Sequence, residues 1–192
     1  MKNLLVLTVL AVLLAPALPA SAQDDVTRFE ASGGYDYARF NVNDRINGVS
    51  STETFNGNGG GGQLEYNANN WIGTVAELGG FGVTSTTNGA LVGGVLTYLF
   101  GPRVNFRRGK VTPFFQTLFG GVRTTDGIAQ STGAENNFAM TAGGGIDFRV
   151  SRHVSVRPIQ AEYFMTKIPD GLNNRQDNLR LGAGIVFRLG GS

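Results

Sequence analysis

The feature that most limits the fold of this chain is a strict alternation between apolar residues and small or charged ones. In residues 138–150 the even positions are apolar or Gly, whereas the odd positions are Ala, Thr, Gly, Asp and Arg. Residues 29–38 and 179–189 alternate in the same way. A period of two residues is the pattern of a strand with two different faces. These segments are therefore predicted to be β-strands with one apolar face each.

Composition excludes several other classes of protein. The chain has 192 residues, of which 29 are Gly and none is Cys. Glycine costs about 1 kcal/mol relative to Ala inside a helix, so a helical bundle is excluded. Without Cys there is no disulfide scaffold, no cysteine nucleophile and no thiolate metal site. The net charge of +2 gives no argument for a nucleic-acid partner. We therefore expect no nucleic acid, cofactor or metal ion to bind, and we assign no catalytic residue.

The first 22 residues are predicted to be a cleavable signal peptide. Lys2 precedes an apolar run at residues 4–15, and Ala20, Ser21 and Ala22 supply small residues at a cleavage site. The run is shorter than the roughly 20 residues that a membrane-spanning helix needs. We thus expect export into the periplasm and a domain that comprises residues 23–192.

Eight strands are predicted, and their connections alternate in length. The strands lie within residues 29–38, 60–68, 71–83, 90–106, 111–124, 138–150, 154–167 and 179–189. The long, polar connections are residues 41–59, 84–89, 126–137 and 168–177, and the short ones are residues 69–70, 107–110 and 151–153. This alternation is expected of antiparallel strands that run up and down in turn. Pro158 lies inside the seventh strand and indicates a bulge or a strand end.

These patterns together predict a closed transmembrane barrel in the outer membrane. In hydrocarbon every backbone polar group must be paired, which closed barrels achieve. Such barrels have even strand numbers, short periplasmic turns and longer outer loops. Aromatic residues near the strand ends predict two interfacial girdles. The girdle near the short turns consists of Trp71, Phe106, Phe148 and Phe187, and the girdle toward the long loops consists of Tyr35, Tyr37, Phe81 and Phe138.

The last strand carries a further pattern. Arg180, Gly182, Ile185 and Phe187 follow the order polar, Gly, apolar, aromatic, which resembles the C-terminal signal read by the barrel-assembly machinery. The segments at residues 99–103, 111–114, 120–121 and 143–147 also resemble segments of known outer-membrane barrels. Residues 29–189 as a whole resemble the small eight-stranded outer-membrane barrels, such as the barrel domain of outer membrane protein A and the porin-family barrels.

The resemblance implies an all-β, eight-stranded, antiparallel up-and-down transmembrane barrel with a structural or surface-interaction role. It further implies contact with outer-membrane lipid and lipopolysaccharide, contact with the barrel-assembly machinery during biogenesis, and a monomeric state. The long loops are expected to contact any other partner, because binding residues are often found on loops.

Charged residues on the face opposite the apolar stripe are predicted to form a paired network inside the barrel. An eight-stranded barrel is just wide enough to be filled by side chains, so a solute pore is not expected. If the last hairpin is symmetric about Gly171, Glu162 lies opposite Arg180, and barrel closure brings Glu30 near Arg188. The predicted network comprises Glu30, Asp36, Glu65, Glu77, Asp147, Arg149, Glu162, Arg180 and Arg188.

Three alternatives remain open. A narrow ion channel would use the same interior charges. An outer-membrane enzyme that modifies lipid A would use His153 as a base and Ser155 as a nucleophile, which lie two residues apart. That motif is weak, since His153 falls in a short turn and no third residue is evident. A soluble, lipocalin-like periplasmic barrel would instead turn its apolar faces inward around a ligand.

Overall fold

The computed structural model describes residues 27–46, 49–85, 91–124, 135–167 and 175–189 as eight β-strands with short connections. The predicted signal peptide at residues 1–22 lies outside the described residues, and its cleavage site stays a prediction. No described residue belongs to a helix that is long and apolar enough to cross a membrane. The strands are β1 (Phe29–Ile46), β2 (Val49–Asn67), β3 (Ile72–Ser85), β4 (Leu91–Asn105), β5 (Val111–Thr124), β6 (Glu135–Arg149), β7 (Val154–Thr166) and β8 (Gln176–Leu189).

The strands form a closed antiparallel barrel in which each strand pairs with its neighbours in sequence. Closure occurs between β1 and β8, where Phe29 lies opposite Leu189 and Arg39 lies opposite Leu179. The start of β1 and the end of β8 are therefore at the same end of the barrel. The three short turns lie there too, and we call this end the turn end and the opposite one the loop end.

Two faces alternate along every strand as the sequence predicts. In β5 and β8, buried and more exposed positions follow each other in nearly strict order. Large apolar side chains remain exposed on the outer face, among them Leu64, Leu78, Phe100, Phe119 and Ile185. A contiguous apolar exterior of this kind is the surface that a transmembrane barrel turns toward lipid. The opposite face of each strand therefore lines the interior.

The long connection predicted at residues 41–59 is instead a β-hairpin. β1 continues to Ile46 and β2 begins at Val49, and the two strands pair from Asn41 opposite Thr54 to Ile46 opposite Val49. Antiparallel pairing satisfies the backbone groups of this segment, although its side chains are mostly polar. The prediction was wrong here because the polar composition of residues 41–59 concealed their strand character.

Buried apolar side chains concentrate in the loop-end half of the interior. Phe40 packs edge-on against Phe81 and Phe164, with ring centroids 6.2 and 5.9 Å apart. Val83, Val95, Leu99, Leu118 and Val122 belong to the same cluster. Phe81 is thus a core residue and not part of an outer girdle, because it shares the inward face of β3 with Glu77.

Two glycines show how closely the strands approach one another. A Cβ atom on Gly59 would overlap the carbonyl oxygen of Gly80 on the neighbouring strand, whereas a Cβ atom on Gly80 would meet nothing within 4 Å.

In the turn between β4 and β5, Gly109 has a φ of 60°, which lies in the left-handed region. Arg108 and Val111 exchange two backbone hydrogen bonds of 3.0 Å across this turn.

Candidate functional site in the barrel interior

Six buried side chains from six strands form a closed ring of hydrogen bonds at mid-height in the barrel. Going round the ring, cations, amides and carboxylates follow one another so that each donor meets an acceptor. The members, in order, are Arg103 (β4), Gln63 (β2), Glu77 (β3), Arg180 (β8), Glu162 (β7) and Gln116 (β5). We call this set the polar ring.

Arg103 joins one side of the polar ring. Its Nε donates to Oε1 of Gln116 at 2.8 Å, and its Nη2 donates to Oε1 of Gln63. The remaining nitrogen, Nη1, pairs with the carboxylate of Glu65 at 2.6 Å. The other oxygen of Glu65 accepts from Nδ2 of Asn105, also at 2.6 Å. This guanidinium is 2% exposed, so its partners must supply the hydrogen bonds that water would otherwise supply.

Arg180 joins the other side of the polar ring. It donates to both oxygens of Glu77, with Nη2 to Oε2 at 2.9 Å, and its Nε donates to Oε2 of Glu162 at 2.8 Å. The two glutamines complete the circle, since Nε2 of Gln63 donates to Glu77 at 2.7 Å and Nε2 of Gln116 donates to Glu162 at 2.6 Å. Arg180 therefore lies between two carboxylates that would otherwise repel each other.

A second ion pair extends the network to β6. Arg157 binds Asp147 through two hydrogen bonds of 2.7 and 3.0 Å, the bidentate geometry that suits a guanidinium and a carboxylate. Its Nη1 also donates to Gln63 at 2.9 Å, which links this pair to the polar ring. The ring of Phe114 lies 4.4 Å from Cζ of Arg157 and 4.3 Å from Cζ of Arg103. Both cations thus have a cation–π contact with one phenylalanine.

A third group of charges joins β1 to β8 at the turn end. Oε1 of Glu30 lies 2.9 Å from Arg107 and 3.6 Å from Arg188. Glu30 and Arg188 are also directly opposite in register, as barrel closure predicts. The pairing of Glu162 with Arg180 in the last hairpin likewise follows the predicted register.

The structure places seven of the nine predicted network residues in the buried interior, namely Glu30, Glu65, Glu77, Asp147, Glu162, Arg180 and Arg188. Asp36 is half-buried and lines a small cavity of about 30 Å³ with Gly61, Gly182 and Glu77, which has room for water. The prediction is wrong for Arg149, which is exposed. Its position as the last residue of β6 leaves its side chain outside the packed interior.

Sequence reasoning missed two of the central cations, Arg103 and Arg157. β4 appears apolar on both faces until its odd and even positions are considered separately. Arg103 then lies on the inward face together with Thr97 and Leu99, which are also odd positions. Separating odd from even positions does not identify Arg157 as an inward residue, because the register shifts between Arg157 and Gln160. The bulge at Pro158 turns odd positions inward before it and even positions inward after it. Pro158 itself was the available signal.

Within the described residues, side chains fill the interior from the turn end to the aromatic cluster around Phe40. The polar ring occupies the middle, and the cluster around Phe40 and Phe164 lies on its loop-end side. The two layers touch, since Cζ of Arg180 is 5.9 Å from the ring of Phe164. Within the described residues, no three His, Cys, Asp or Glu side chains form a group that could hold a metal ion. The arrangement holds the strands together, and its charges neutralise one another.

The structure does not bring His153 and Ser155 together. His153 is exposed in the turn between β6 and β7, whereas Ser155 is fully buried in β7. Among the described residues, Oγ of Ser155 has no hydrogen-bond partner. A base that activates this hydroxyl would have to be within hydrogen-bond reach, and His153 is not.

The predicted girdle residues near the turns are exposed at the turn end. They are Trp71, Phe106, Phe148 and Phe187, and the rings of Trp71 and Phe106 pack edge-on with centroids 6.2 Å apart. Toward the loop end, Tyr35 is exposed and Tyr37 is half-buried.

The phenol groups of Tyr35 and Tyr37 donate hydrogen bonds to the side chains of Asn58 and Asn56, at 2.6 and 2.8 Å respectively.

In β8, Arg180 and Gly182 face inward, whereas Ile185 and Phe187 face outward. Their role as an assembly signal stays a prediction.

A polar cluster is exposed at the loop end. Tyr163 donates a hydrogen bond to Asp177, and Arg175 donates to Asp177 at 3.0 Å and to Tyr163 at 3.1 Å. The hydrogen bonds to Tyr163 and Asp177 raise the pKa of the Arg175 guanidinium above its usual value.

Comparison with known proteins identifies the fold and the family. The family model described as outer membrane protein beta-barrel domain matches residues 8–187. A search of curated protein sequences finds no match.

Among solved structures, Neisserial surface protein A is similar with a TM-score of 0.57 and 12% identity, over 84% of this chain and 97% of that one. OprG from Pseudomonas aeruginosa has a TM-score of 0.53 and 14% identity, over 83% of this chain and 94% of that one. The N-terminal β-barrel domain of Pseudomonas aeruginosa OprF has a TM-score of 0.51 and 11% identity, over 83% and 96%.

Proposed function

Because the chain belongs to the outer membrane protein beta-barrel domain family, we propose that it is a closed anchor that holds a projecting β-hairpin at the cell surface. The protein is an integral outer-membrane barrel with a side-chain-filled interior. The proposal concerns what that barrel does: it carries no solute and performs no catalysis, and its loop end contacts partners outside the cell.

The projecting hairpin is the observation that carries this proposal. Within the described residues, β1 pairs with β8 only as far as Arg39, and β2 pairs with β3 only from Phe55 onward. Among the described residues, 41–46 and 49–54 pair only with each other, and we call them the ribbon. At about 3.4 Å per residue, six residues extend about 20 Å. A ribbon of this length would extend past the last described pairs of β1 with β8 and of β2 with β3.

The filled interior supports an anchor rather than a channel. The polar ring crosses the interior on six strands, and the aromatic cluster around Phe164 lies directly beside it. An ion that moved through the barrel would have to displace paired charges and then pass an apolar layer, and both steps are costly. We accordingly expect the purified protein to give no conductance above that of a protein-free planar bilayer. Steady single-channel openings would contradict the anchor and support the channel.

The partners follow from the same arrangement. The exposed apolar side chains of the outer face would contact outer-membrane lipid, including lipopolysaccharide in the outer leaflet. The last strand would be bound by the barrel-assembly machinery through Arg180, Gly182, Ile185 and Phe187. Closure of β1 on β8 leaves no sheet edge unpaired along residues 29–39, which supports a monomer.

The orientation and exposure of the ribbon can be tested by labelling, because the natural chain has no Cys. Ser51→Cys places a thiol in the ribbon, and Lys110→Cys places one in the turn between β4 and β5. In intact cells, a membrane-impermeant maleimide should label only the first variant, and after the outer membrane is permeabilised it should label both. Labelling of Lys110→Cys alone in intact cells would reverse the orientation and refute the proposal.

A further inference from the structure

Five exposed cations surround the turn end of the barrel. Arg28 precedes β1, Arg108 and Lys110 lie in the turn between β4 and β5, Arg149 ends β6, and Arg152 lies in the turn between β6 and β7. None of the five has an ion pair within the described residues, since the ion pairs there involve other arginines. We call Arg28, Arg108, Lys110, Arg149 and Arg152 the cationic rim.

No exposed acidic side chain balances the cationic rim among the described residues of the turn end. The acidic residues there, Glu30, Glu65 and Asp147, are buried and paired with arginines inside the barrel. Asp24 and Asp25 precede the described residues. Within the described residues, the rim therefore presents only positive charge toward solvent.

The loop end differs. By sequence, residues 39–58, 84–94, 122–137 and 164–178 together contain five Lys or Arg and six Asp or Glu. Positive charge is therefore concentrated at the turn end and is not a general property of the surface. A concentration of one sign on one end attracts a partner of the opposite sign.

The cationic rim directly borders the exposed aromatic residues of the turn end. Phe106 comes two residues before Arg108, and Phe148 comes immediately before Arg149. Trp71 packs against Phe106. Exposed aromatic side chains of this kind lie at the level of lipid headgroups, so the cations just beyond them lie at the level of headgroup phosphates.

We propose that the cationic rim binds anionic phospholipid headgroups in the leaflet at the turn end, and selects them over zwitterionic ones. Because short turns face the periplasm in this family of barrels, this leaflet is the inner leaflet of the outer membrane. Lys and Arg near an anionic membrane surface each attract it by about 1 kcal/mol, equivalent to about fivefold in binding. The polar ring and the ribbon have no part in this interaction.

The single Trp of the chain makes the interaction measurable, because Trp71 lies at the turn end and packs against Phe106, which comes two residues before Arg108. The full-length protein is reconstituted in vesicles of phosphatidylglycerol and phosphatidylcholine at equal amounts, with bromine atoms on the acyl chains of one lipid or the other. Bromine quenches Trp fluorescence only at contact. Quenching by brominated phosphatidylglycerol should exceed quenching by brominated phosphatidylcholine, with a relative binding constant of about five.

A matched pair of variants separates the rim from charge in general. Arg108→Gln/Lys110→Gln/Arg152→Gln removes three rim charges and should lower the relative constant toward one. Arg39→Gln/Arg123→Gln/Lys167→Gln removes three exposed charges at the loop end and should leave it unchanged. Gel mobility before and after boiling checks that both variants are folded.

The natural protein supplies an independent test if the rim variant does not fold. Salt should reduce the preference for phosphatidylglycerol, and at roughly 1 M, where the screening length is about 3 Å, it should abolish it. Equal quenching by the two lipids in low salt, or an unchanged preference in the rim variant, would overturn the proposal. Equal quenching together with binding of soluble polyglutamate would assign the rim to a periplasmic polyanion and overturn it as well.

Discussion

Replacement of Arg180 by Met should destabilise the barrel more than any surface substitution. The Arg180 side chain is 2% exposed, and its carboxylate partners Glu77 and Glu162 are 4% and 0% exposed. Met occupies a similar volume but donates no hydrogen bond. Two buried carboxylates would then face each other with no cation between them, although each would keep one glutamine donor, Gln63 or Gln116.

The expected loss follows from the cost of leaving a buried charge unpaired. Removal of one partner from a buried ion pair costs about 3–5 kcal/mol. Hydrogen bonds to charged groups contribute about 1.5–3 kcal/mol each, and Arg180 makes four of them. Their simple sum overestimates the loss, because the folded variant no longer buries a guanidinium. We therefore expect Arg180→Met to lower the free energy of unfolding by about 4 kcal/mol.

The assay is urea unfolding in detergent micelles, followed by Trp71 fluorescence and by gel mobility before and after boiling. The control is Arg123→Met, which removes an exposed arginine at the loop end and should change stability by no more than about 0.5 kcal/mol. A second comparison adds Glu77→Gln and Glu162→Gln to Arg180→Met. Because the added changes remove the unpaired charges, much of the lost stability should return.

Two results would refute this account of the polar ring. One is a stability of Arg180→Met within about 0.5 kcal/mol of the natural protein. The other is a triple variant no more stable than Arg180→Met, since the loss would then come from packing and not from unpaired carboxylates.

Three further predictions concern the strand contacts and the layers of the interior. Gly59→Ala should cost about 1–3 kcal/mol of unfolding free energy, because its methyl group would overlap the backbone of Gly80. Gly80→Ala should cost less than about 0.5 kcal/mol, and equal losses of the two variants in urea unfolding would contradict the close approach of β2 and β3 at Gly59. Phe164→Ala should lower the free energy of unfolding by about 3–5 kcal/mol. Planar-bilayer recordings of this variant should still show no conductance because the polar ring remains, and channel openings would show that the aromatic layer alone blocks the barrel. Glu30→Gln should speed amide hydrogen exchange in β1 and β8, because Arg188 loses its ion pair at the closing strands, and unchanged exchange would exclude a role for this pair in closure.

Most of the architecture follows from the alternation of residues, because a barrel has only an inside and an outside. In β6 and β8, parity alone assigns Asp147 and Arg180 to the interior. Hairpin register then places Glu162 opposite Arg180. These predictions depend on local pattern and chain connectivity, which the sequence contains directly.

The sequence does not show directly where a bulge changes which positions, odd or even, face inward. Nor does it show which residues of distant strands come into contact. The bulge at Pro158 brings Arg157 inward although the positions beyond it have the opposite parity. Arg180 of β8 contacts Glu77 of β3 across the barrel interior, and only closure brings such residues together. The ribbon escaped prediction for a different reason, since strand pairing there depends on backbone hydrogen bonds more than on an apolar face.

The two glutamines explain why the polar ring defines the strand register as well as neutralising charge. Gln63 and Gln116 each accept a hydrogen bond from Arg103 through Oε1, and each donates from Nε2 to a glutamate, so the amide has one orientation that satisfies both ends. A slip of one residue in β2 or β5 would turn its glutamine toward lipid, where neither end has a partner, and would leave Arg103 short of an acceptor. A register shift of two residues would keep the glutamines inside the barrel, where a charge could pair with a new partner, whereas an amide that must both accept and donate at defined atoms could not. The polar ring thus contributes to specifying a single barrel register, and the apolar outer face, which any register shift of two residues would preserve, could not do so alone.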